Sequence, residues 1–562
     1  MLDSGDWIHP WGSPHHKTPG FYWMIATTYK LFDINQNSVR LPNLILGFFS
    51  VFLLYEIAKI ILNQRIAWLA AAILSINFLW LQYCRLGTPD VPMVFLVLLG
   101  IFSLLKAELK TEINLRDRKY YNNLLSHLLS NSFWCFLGGF CFGLGLLIRS
   151  MMIFLPIVAL LPYLILENRR HRLLNNPSLY LGFLIGLLPT LIWLWLSFSY
   201  YGNGSVNQLV NFVFRLGSNE RGGNGILFYL WNVPITSFPW TLFALVGLFN
   251  SLFDLANSSQ SKYKLLFIGS PVTLFIELSL FSTRLPHYSL CLFPFISLLA
   301  AVGLDNLSQV YTQNSTNLKY KKNRNQVNHQ SFHHQYINQP VTSKSKNTGN
   351  IKNNEFELNL QISPDKITPP DSLLDSQIRK APQYFSYGFG CLGILLVIAG
   401  IATLIIISNN EIRKYATLSL VLGTTWLISP AIWIARNHFQ IKFLTANYWL
   451  ASFLVPSWLG LAVVCGNGLI GDYNPDFREF IQKPAIIKII NSSSINFVEV
   501  GGKTGVLIDF YTKKIGKEVN SLQELAPKSY AWIKKKQADS SSIPHRVIGT
   551  VQNYSLVQVS EL

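Results

Sequence analysis

From residue 41 onward the chain alternates long apolar runs with shorter polar connections. A helix needs about 20 apolar residues to cross a hydrocarbon core. Read on that scale, the pattern predicts about twelve spans: 41–62, 66–83, 91–105, 132–148, 152–166, 179–200, 233–252, 265–282, 287–304, 385–407, 418–434 and 448–466. The remaining segments differ in texture. Residues 1–40 are polar and aromatic, and residues 305–383 are rich in Asn, Gln, Ser and Lys, which predicts a disordered insertion. Beyond residue 466 the pattern is that of a small α/β domain, with strands expected at 497–500, 506–510 and 547–559 and a short helix opened by Ser521-Leu522-Gln523-Glu524 as a capping box.

Composition agrees with a membrane class. Half of the 562 residues are hydrophobic and only 13% are charged, with a mean hydropathy of +0.29. A soluble chain of this length would carry a charged surface of about twice that density. The six cysteines, Cys84, Cys135, Cys141, Cys291, Cys391 and Cys465, stand singly, without the paired spacing of a zinc site or disulfide framework. The net charge of +18 sits in loops between apolar runs. There it sets topology and meets anionic headgroups, so nucleic acid is excluded as a partner.

Loop charge orients the chain, because cytoplasmic loops are enriched in Lys and Arg. Lys106, Lys110, Arg116, Arg118 and Lys119 share one loop, Arg169, Arg170 and Arg172 a second, Lys262 and Lys264 a third, and residues 319–352 a fourth. Span counting puts all four on one side, the cytoplasm. Residues 1–40, 85–90, 201–232 and 283–286, the hairpin at Arg149 and the tail then face outward. Twelve spans place both ends outside, yet residues 1–40 hold no apolar run and no signal-peptide pattern. The pattern therefore predicts one further span upstream, with Met1 internal to a longer product. The domain expectation is a transmembrane core at 1–304, a cytoplasmic insertion at 305–383, three more spans at 384–466 and an extracytoplasmic α/β domain at 467–562.

The outward face carries the candidate chemistry. Lys17 follows His15 and His16 and precedes Thr18-Pro19-Gly20, a non-helical stretch that aims the cation at the membrane surface. It reads as a phosphate ligand or as one member of an aromatic interfacial patch with Trp7, Trp11, Tyr22 and Trp23. Arg85 and Asp90 flank a hairpin; Asp90 can orient an acceptor hydroxyl or simply cap a helix. Arg149 needs an anion at its depth, either Glu277 or a lipid phosphate. Arg284 and His287 offer guanidinium and imidazole donors at headgroup level, suited to a phosphate or to snorkelling. Lys17, Arg85, Arg149, Arg221 and Arg284 all fall on the face that the charge bias depletes, and this convergence asks for a bound anion. Glu56 and Lys59 read as a structural pair one turn apart. Gly501-Gly502-Lys503-Thr504 resembles a phosphate loop only in part, since Phe497 takes the first glycine position and a strand is expected to follow, so it reads as a turn. His329, His333 and His334 lack partner carboxylates at metal-ligand spacing.

Five motifs in order carry a family resemblance: GDWIHPWGSPHHKTPGFYW, then SVRLP at 38–42, RLGTPDVPM at 85–93, FPW at 238–240 and STRLPHY at 282–288. Together they resemble the aminoarabinose-transferase and protein-mannosyltransferase branch of the GT-C glycosyltransferases, closely over residues 1–304 and more loosely beyond. The resemblance implies a GT-C-like α-helical membrane fold that transfers a sugar from a polyprenyl-phosphate donor to a lipid, glycan or protein acceptor on the outer face of the plasma (inner) membrane. It implies that Lys17 binds donor phosphate, that Asp90 is the acid of the second outer loop, and that Arg284 with His287 form the basic headgroup site. Arg85 and Arg149 join that phosphate set. No cofactor is required, and a divalent metal is left open because His16 stands where similar proteins often have an acid. Similar proteins also carry an upstream Asp-Glu-x-Arg-Tyr segment as the expected base, which this sequence lacks, and neither Asp3 nor Asp6 takes that role. The alternative from another class is a non-catalytic lipid-linked-sugar transporter or a degenerate binding protein.

Overall fold

The computed structural model describes residues 2, 5–9, 17–116, 124–217, 224–253, 262–333, 373–470 and 474–560. They form two compact units, Met1–Val463 and Val464–Leu562.

The first unit is helical. A short α1 (Gly20–Phe32) precedes α2 (Gln36–Ile61), which begins on the Asn35 side chain accepting from the N–H groups of Asn37 and Ser38. Next come α3 (Gln64–Ser75), α4 (Phe78–Cys84), α5 (Asp90–Arg116), α6 (Leu124–Arg149), α7 (Phe154–Leu166), the single turn α8 (Asn168–His171) and α9 (Pro177–Tyr201). The chain continues through α10 (Asn203–Gly217), α11 (Phe228–Thr236), α12 (Trp240–Phe253), a π-helical turn at Leu265–Gly269, α13 (Ser270–Leu280) and a 3-10 segment at Pro286–Leu292. The last helices are α14 (Phe293–His333), α15 (Leu373–Ile406), α16 (Asn410–Trp426), α17 (Ile428–Asn437) and α18 (Ala446–Gly466).

Among the described residues, eight helical stretches are long and apolar enough to cross a membrane, and two bent pairs bring the number to ten. The twelve expected runs map onto them. Runs 66–83 and 233–252 are the bent pairs, α3 with α4 at 64° and α11 with α12 at 112°. Runs 132–148 and 152–166 share the stretch Asn131–Leu166, and 265–282 matches the shorter apolar helix Leu265–Leu280. The chain does reverse between α6 and α7. Arg149 meets Asp90 at the start of α5, whereas Tyr163 meets Glu108, some 27 Å further along α5 at ~1.5 Å per residue. Ser150, at φ 52°, sits at the reversal.

Two stretches, Asp90–Lys110 and Pro286–Gln313, are enclosed by protein over most of their apolar length, whereas Pro177–Tyr201 and Arg379–Ile406 are mostly open. Helix α6 packs on α9 through glycines: a Cβ at Gly139 or Gly143 would collide with the α9 backbone, and one at Gly182 or Gly186 with that of α6. Lipid offers no hydrophobic drive for helix pairing, so such close backbone approach supplies the packing instead.

The polar insertion begins later than its composition predicts. Helix α14 runs on to His333 and α15 starts at Leu373. Leu304, Leu307 and Tyr311 recur at helical spacing and are buried, and Asp305 pairs with Arg65 at 3.0 Å. Polar neighbours mask that stripe in a composition count. Residues 334–372, including His334, lie outside the described residues.

The second unit holds a five-stranded mixed sheet of order β2-β1-β3-β5-β4. Helices α19 (Pro475–Gln482) and α20 (Pro484–Ser492) lead into β1 (Ile495–Val498), α21 (Gly502–Tyr511), β2 (Ile515–Val519), β3 (Tyr530–Lys534), α22 (Lys535–Ser540), β4 (His545–Val551) and β5 (Tyr554–Val559). Strand β1 lies parallel to β2 and β3, while β5 is antiparallel to β3 and β4. Two expectations are corrected. Residues 506–510 are helical, with Ile508 buried and Val506 exposed; a short apolar run does not distinguish strand from helix. The expected capping box is a 3-10 turn, Leu522–Glu524, whose Ser521 side chain makes no capping bond.

Candidate functional site

Four segments of the first unit converge on a cavity of about 340 Å³. The lead-in to α1 supplies Lys17 and Thr18, the first turn of α1 supplies Phe21 and Tyr22, and the end of α6 with the turn after it supplies Arg149, Ser150 and Met152. The start of α5 gives Pro89, and the 3-10 segment gives His287 and Tyr288. Local chemistry explains the convergence. Thr18 donates its N–H to the Ser150 hydroxyl at 3.3 Å, and the two hydroxyls lie 3.1 Å apart. Gly20 permits α1 to close on α6, since a Cβ there would sit 2.7 Å from the Leu147 carbonyl. Asn43, fully buried on α2, donates to the carbonyls of Leu86 at 2.5 Å and Thr88 at 2.7 Å, which fixes the loop ahead of Asp90.

The predicted site residues divide into two groups. Lys17, Arg149 and His287 line the cavity. Asp90, the first residue of α5, is buried and holds Arg149 Nη2 on its Oδ1 at 2.8 Å. This corrects the expected partner: Asp90, not Glu277, is the protein anion for Arg149. Arg149 Nε–H is buried with no hydrogen-bond partner. The Tyr83 ring stacks on His287 with centroids 5.6 Å apart. Burial pushes the Tyr22 phenol above its ordinary pKa, with the Arg149 charge acting in the opposite direction, so Tyr22 stays a neutral donor.

Arg284 and Arg85 do not line this cavity. The Arg284 guanidinium donates to the Ser279 carbonyl at 2.9 and 3.0 Å and to the Asn224 carbonyl at 2.8 Å. Asn224 Nδ2 returns a bond to the Arg284 carbonyl at 2.7 Å. Main-chain oxygens thus take three of its five N–H groups, and these bonds tie Arg284 to the turn that precedes His287. Arg85 closes α4 with its N–H on Gln82. His15, His16 and Arg221 fall outside the described residues.

A second polar cluster, not anticipated from sequence, surrounds Glu108 near the far end of α5. Glu108 is fully buried, accepts from Tyr163 at 2.5 Å, pairs with Arg170, and has Lys262 Nζ at 3.4 Å. Arg170 also bonds Glu167 at 2.9 Å. The signal was present, an acid inside the apolar run between Lys106 and Lys110, but the neighbouring lysines read as ordinary loop charge. Next to the cluster, burial lowers the His171 pKa.

Among the described residues, no group of three or more His, Cys, Asp or Glu is placed to hold a metal ion. In the second unit a helix, not a strand, follows Gly501-Gly502-Lys503-Thr504. Phe497 is nevertheless a buried strand residue where a phosphate loop needs glycine, and the Gly501 N–H is already taken by the Tyr554 hydroxyl at 3.1 Å.

The first unit is thus a multi-pass helical membrane protein with a cation-lined cavity at the Asp90 end of α5. The model of the family described as dolichyl-phosphate-mannose-protein mannosyltransferase matches residues 16–116 and 122–195, which include Lys17, Asp90 and Arg149. A Pseudomonas fluorescens undecaprenyl phosphate-alpha-4-amino-4-deoxy-L-arabinose arabinosyl transferase is 27% identical over 53% of this chain and 53% of its own length. A Pseudomonas aeruginosa protein of the same description is 30% identical over 34% of this chain and 33% of its own. The chain spans about half or less of the curated relatives it matches. The fold is also that of the crystal structure of ArnT from Cupriavidus metallidurans bound to undecaprenyl phosphate. That likeness has a TM-score of 0.65 and 15% identity, and covers 99% of this chain and 91% of that one. In sequence the chain resembles the dolichyl-phosphate-mannose-protein mannosyltransferase family over residues 16–116 and 122–195, and in fold it resembles the ArnT structure over nearly its whole length.

Proposed function

We propose that the protein transfers a sugar from a polyprenyl-phosphate donor to an acceptor on the outer face of the plasma membrane. The observation that carries this reading is the cavity in which Lys17, Arg149 and His287 face one space, with Asp90 fixing Arg149 from below. The relatives' names and the structural neighbour's bound lipid support a polyprenyl phosphate as the anion it receives.

In the proposed step the bond between the anomeric carbon and the phosphate oxygen breaks, and its electron pair leaves with the phosphate. An acceptor oxygen attacks the same carbon and passes its proton to a carboxylate base. Charge grows on the departing phosphate, where the Lys17 ammonium, the Arg149 guanidinium and the Tyr22 and His287 donors favour the transition state over the ground state. Sequence gave Asp90 the task of activating the acceptor. The geometry supports a positioning role for it instead, because its Oδ1 is engaged by Arg149. The family resemblance assigns the base to an acidic segment preceding the Gly5-Asp6-Trp7 stretch, and no such role is proposed for Asp3 or Asp6.

The test is sugar transfer in membranes that contain the protein, supplied with a polyprenyl-phosphate sugar labelled in the sugar. Label should move to lipid, glycan or protein with release of unlabelled polyprenyl phosphate. Label that crosses the bilayer still attached to the polyprenyl chain would establish the transporter reading instead.

A further inference from the structure

Once Asp90 takes Arg149, Glu277 is left over. Both of its carboxylate oxygens are buried and neither has a hydrogen-bond partner. It lies one turn before the end of α13, on the wall of an apolar groove of about 540 Å³ lined with Met152, Phe154, Val158, Leu209 and Phe214. The groove adjoins the cationic cavity, since Met152 lines both. The two sites are chemically opposite: one gathers cations for an anion, the other holds a single carboxylate among apolar side chains.

The geometry points to an aminophospholipid site. A carboxylate in such surroundings is costly unless it is paired and hydrogen-bonded. Val158 and Phe214 are exposed on the protein surface, so the groove is reached from the hydrocarbon side, where acyl chains are available. The complement of the groove is therefore an amphiphile with apolar chains and one cationic head. Both Glu277 oxygens lack a donor, which selects N–H hydrogens as well as charge. The primary ammonium of phosphatidylethanolamine supplies both; the quaternary ammonium of phosphatidylcholine has no N–H, and the anionic phosphoglycerol head of phosphatidylglycerol has no cation. This inference requires only a membrane-embedded chain, not the proposed transfer reaction.

The experiment uses the full chain, reconstituted in vesicles of equimolar phosphatidylethanolamine, phosphatidylcholine and phosphatidylglycerol with added polyprenyl phosphate, extracted in mild detergent and weighed by native mass spectrometry. Retained phosphatidylethanolamine should exceed each of the others by about tenfold, the ratio for one charge-assisted hydrogen bond of about 1.4 kcal/mol. Glu277→Gln should abolish the excess while leaving polyprenyl-phosphate retention unchanged, and Lys17→Ala should do the reverse, which separates this site from the phosphate cavity. Should Glu277→Gln fail to fold, Val158→Trp narrows the groove with the carboxylate intact and should also remove the excess. Equal retention of the three lipids, or an excess indifferent to both substitutions, overturns the proposal. So does loss of polyprenyl phosphate instead of phosphatidylethanolamine in Glu277→Gln, which would assign the groove to the donor's chain.

Discussion

Arg149 on α6 and Asp90 on α5 meet at 2.8 Å, both largely buried, beside the cavity that Lys17 and His287 share. Each partner needs the other. A buried carboxylate left alone by Arg149→Ala, or a buried guanidinium left alone by Asp90→Ala, costs about 3–5 kcal/mol. Each single substitution should therefore lower the detergent melting temperature by several degrees. A double Asp90→Ala and Arg149→Met variant should recover part of that loss without recovering phosphate binding. Equal melting temperatures for wild type and Asp90→Ala would contradict a buried pair.

The glycine contact between α6 and α9 predicts a sharp size limit. Gly182→Val places side-chain carbons where the Phe136 carbonyl lies, so it should force the helices apart and sharply reduce the folded yield. Gly388→Ala on α15 meets nothing within 4 Å and should leave melting unchanged or slightly raised, because Ala is the better helix former. Comparable folded yields by size-exclusion chromatography for Gly182→Val and wild type would refute the close approach.

How much of this could be read from the sequence depends on the length scale. The apolar runs announced the spans, and loop charge brought Lys17, Arg149 and His287 to one face. The bends did not show. Asn77, between α3 and α4, sits inside an apolar run and gives no period-breaking signal, yet the helices turn there by 64°. The pairing of Arg149 with Asp90 depends on the register of α6 against α5, which side-chain packing sets and one-dimensional spacing does not report. Arg284 illustrates the limit from the other side. Its position in the STRLPHY motif suggested a phosphate fork, and the motif does not show that three of its five donors serve main-chain carbonyls. Asn43 is a polar residue next to Pro42 in an apolar run, and only the folded loop reveals the carbonyls it holds.

His171 provides a pH test away from the cavity. Burial lowers its folded pKa below the ordinary 6.5, so the unfolded chain binds its proton first as pH falls. The stability that depends on neutral His171 is then complete above about pH 6.5 and declines as pH drops from there towards the folded value. Melting curves between pH 8 and pH 5 should show this decline in wild type and less of it in His171→Gln. A steeper decline in His171→Gln than in wild type would mean the sign is wrong.

The central claim is that the Lys17, Arg149 and His287 cavity binds the phosphate of a polyprenyl lipid, and its most direct measurement is equilibrium binding of sugar-free polyprenyl phosphate to purified protein. Lys17→Ala should weaken binding about tenfold or more, the worth of one charged hydrogen bond. Arg284→Ala should lower the melting temperature instead, through loss of its carbonyl bonds. Wild-type affinity in Lys17→Ala, measured on folded protein, would contradict the account.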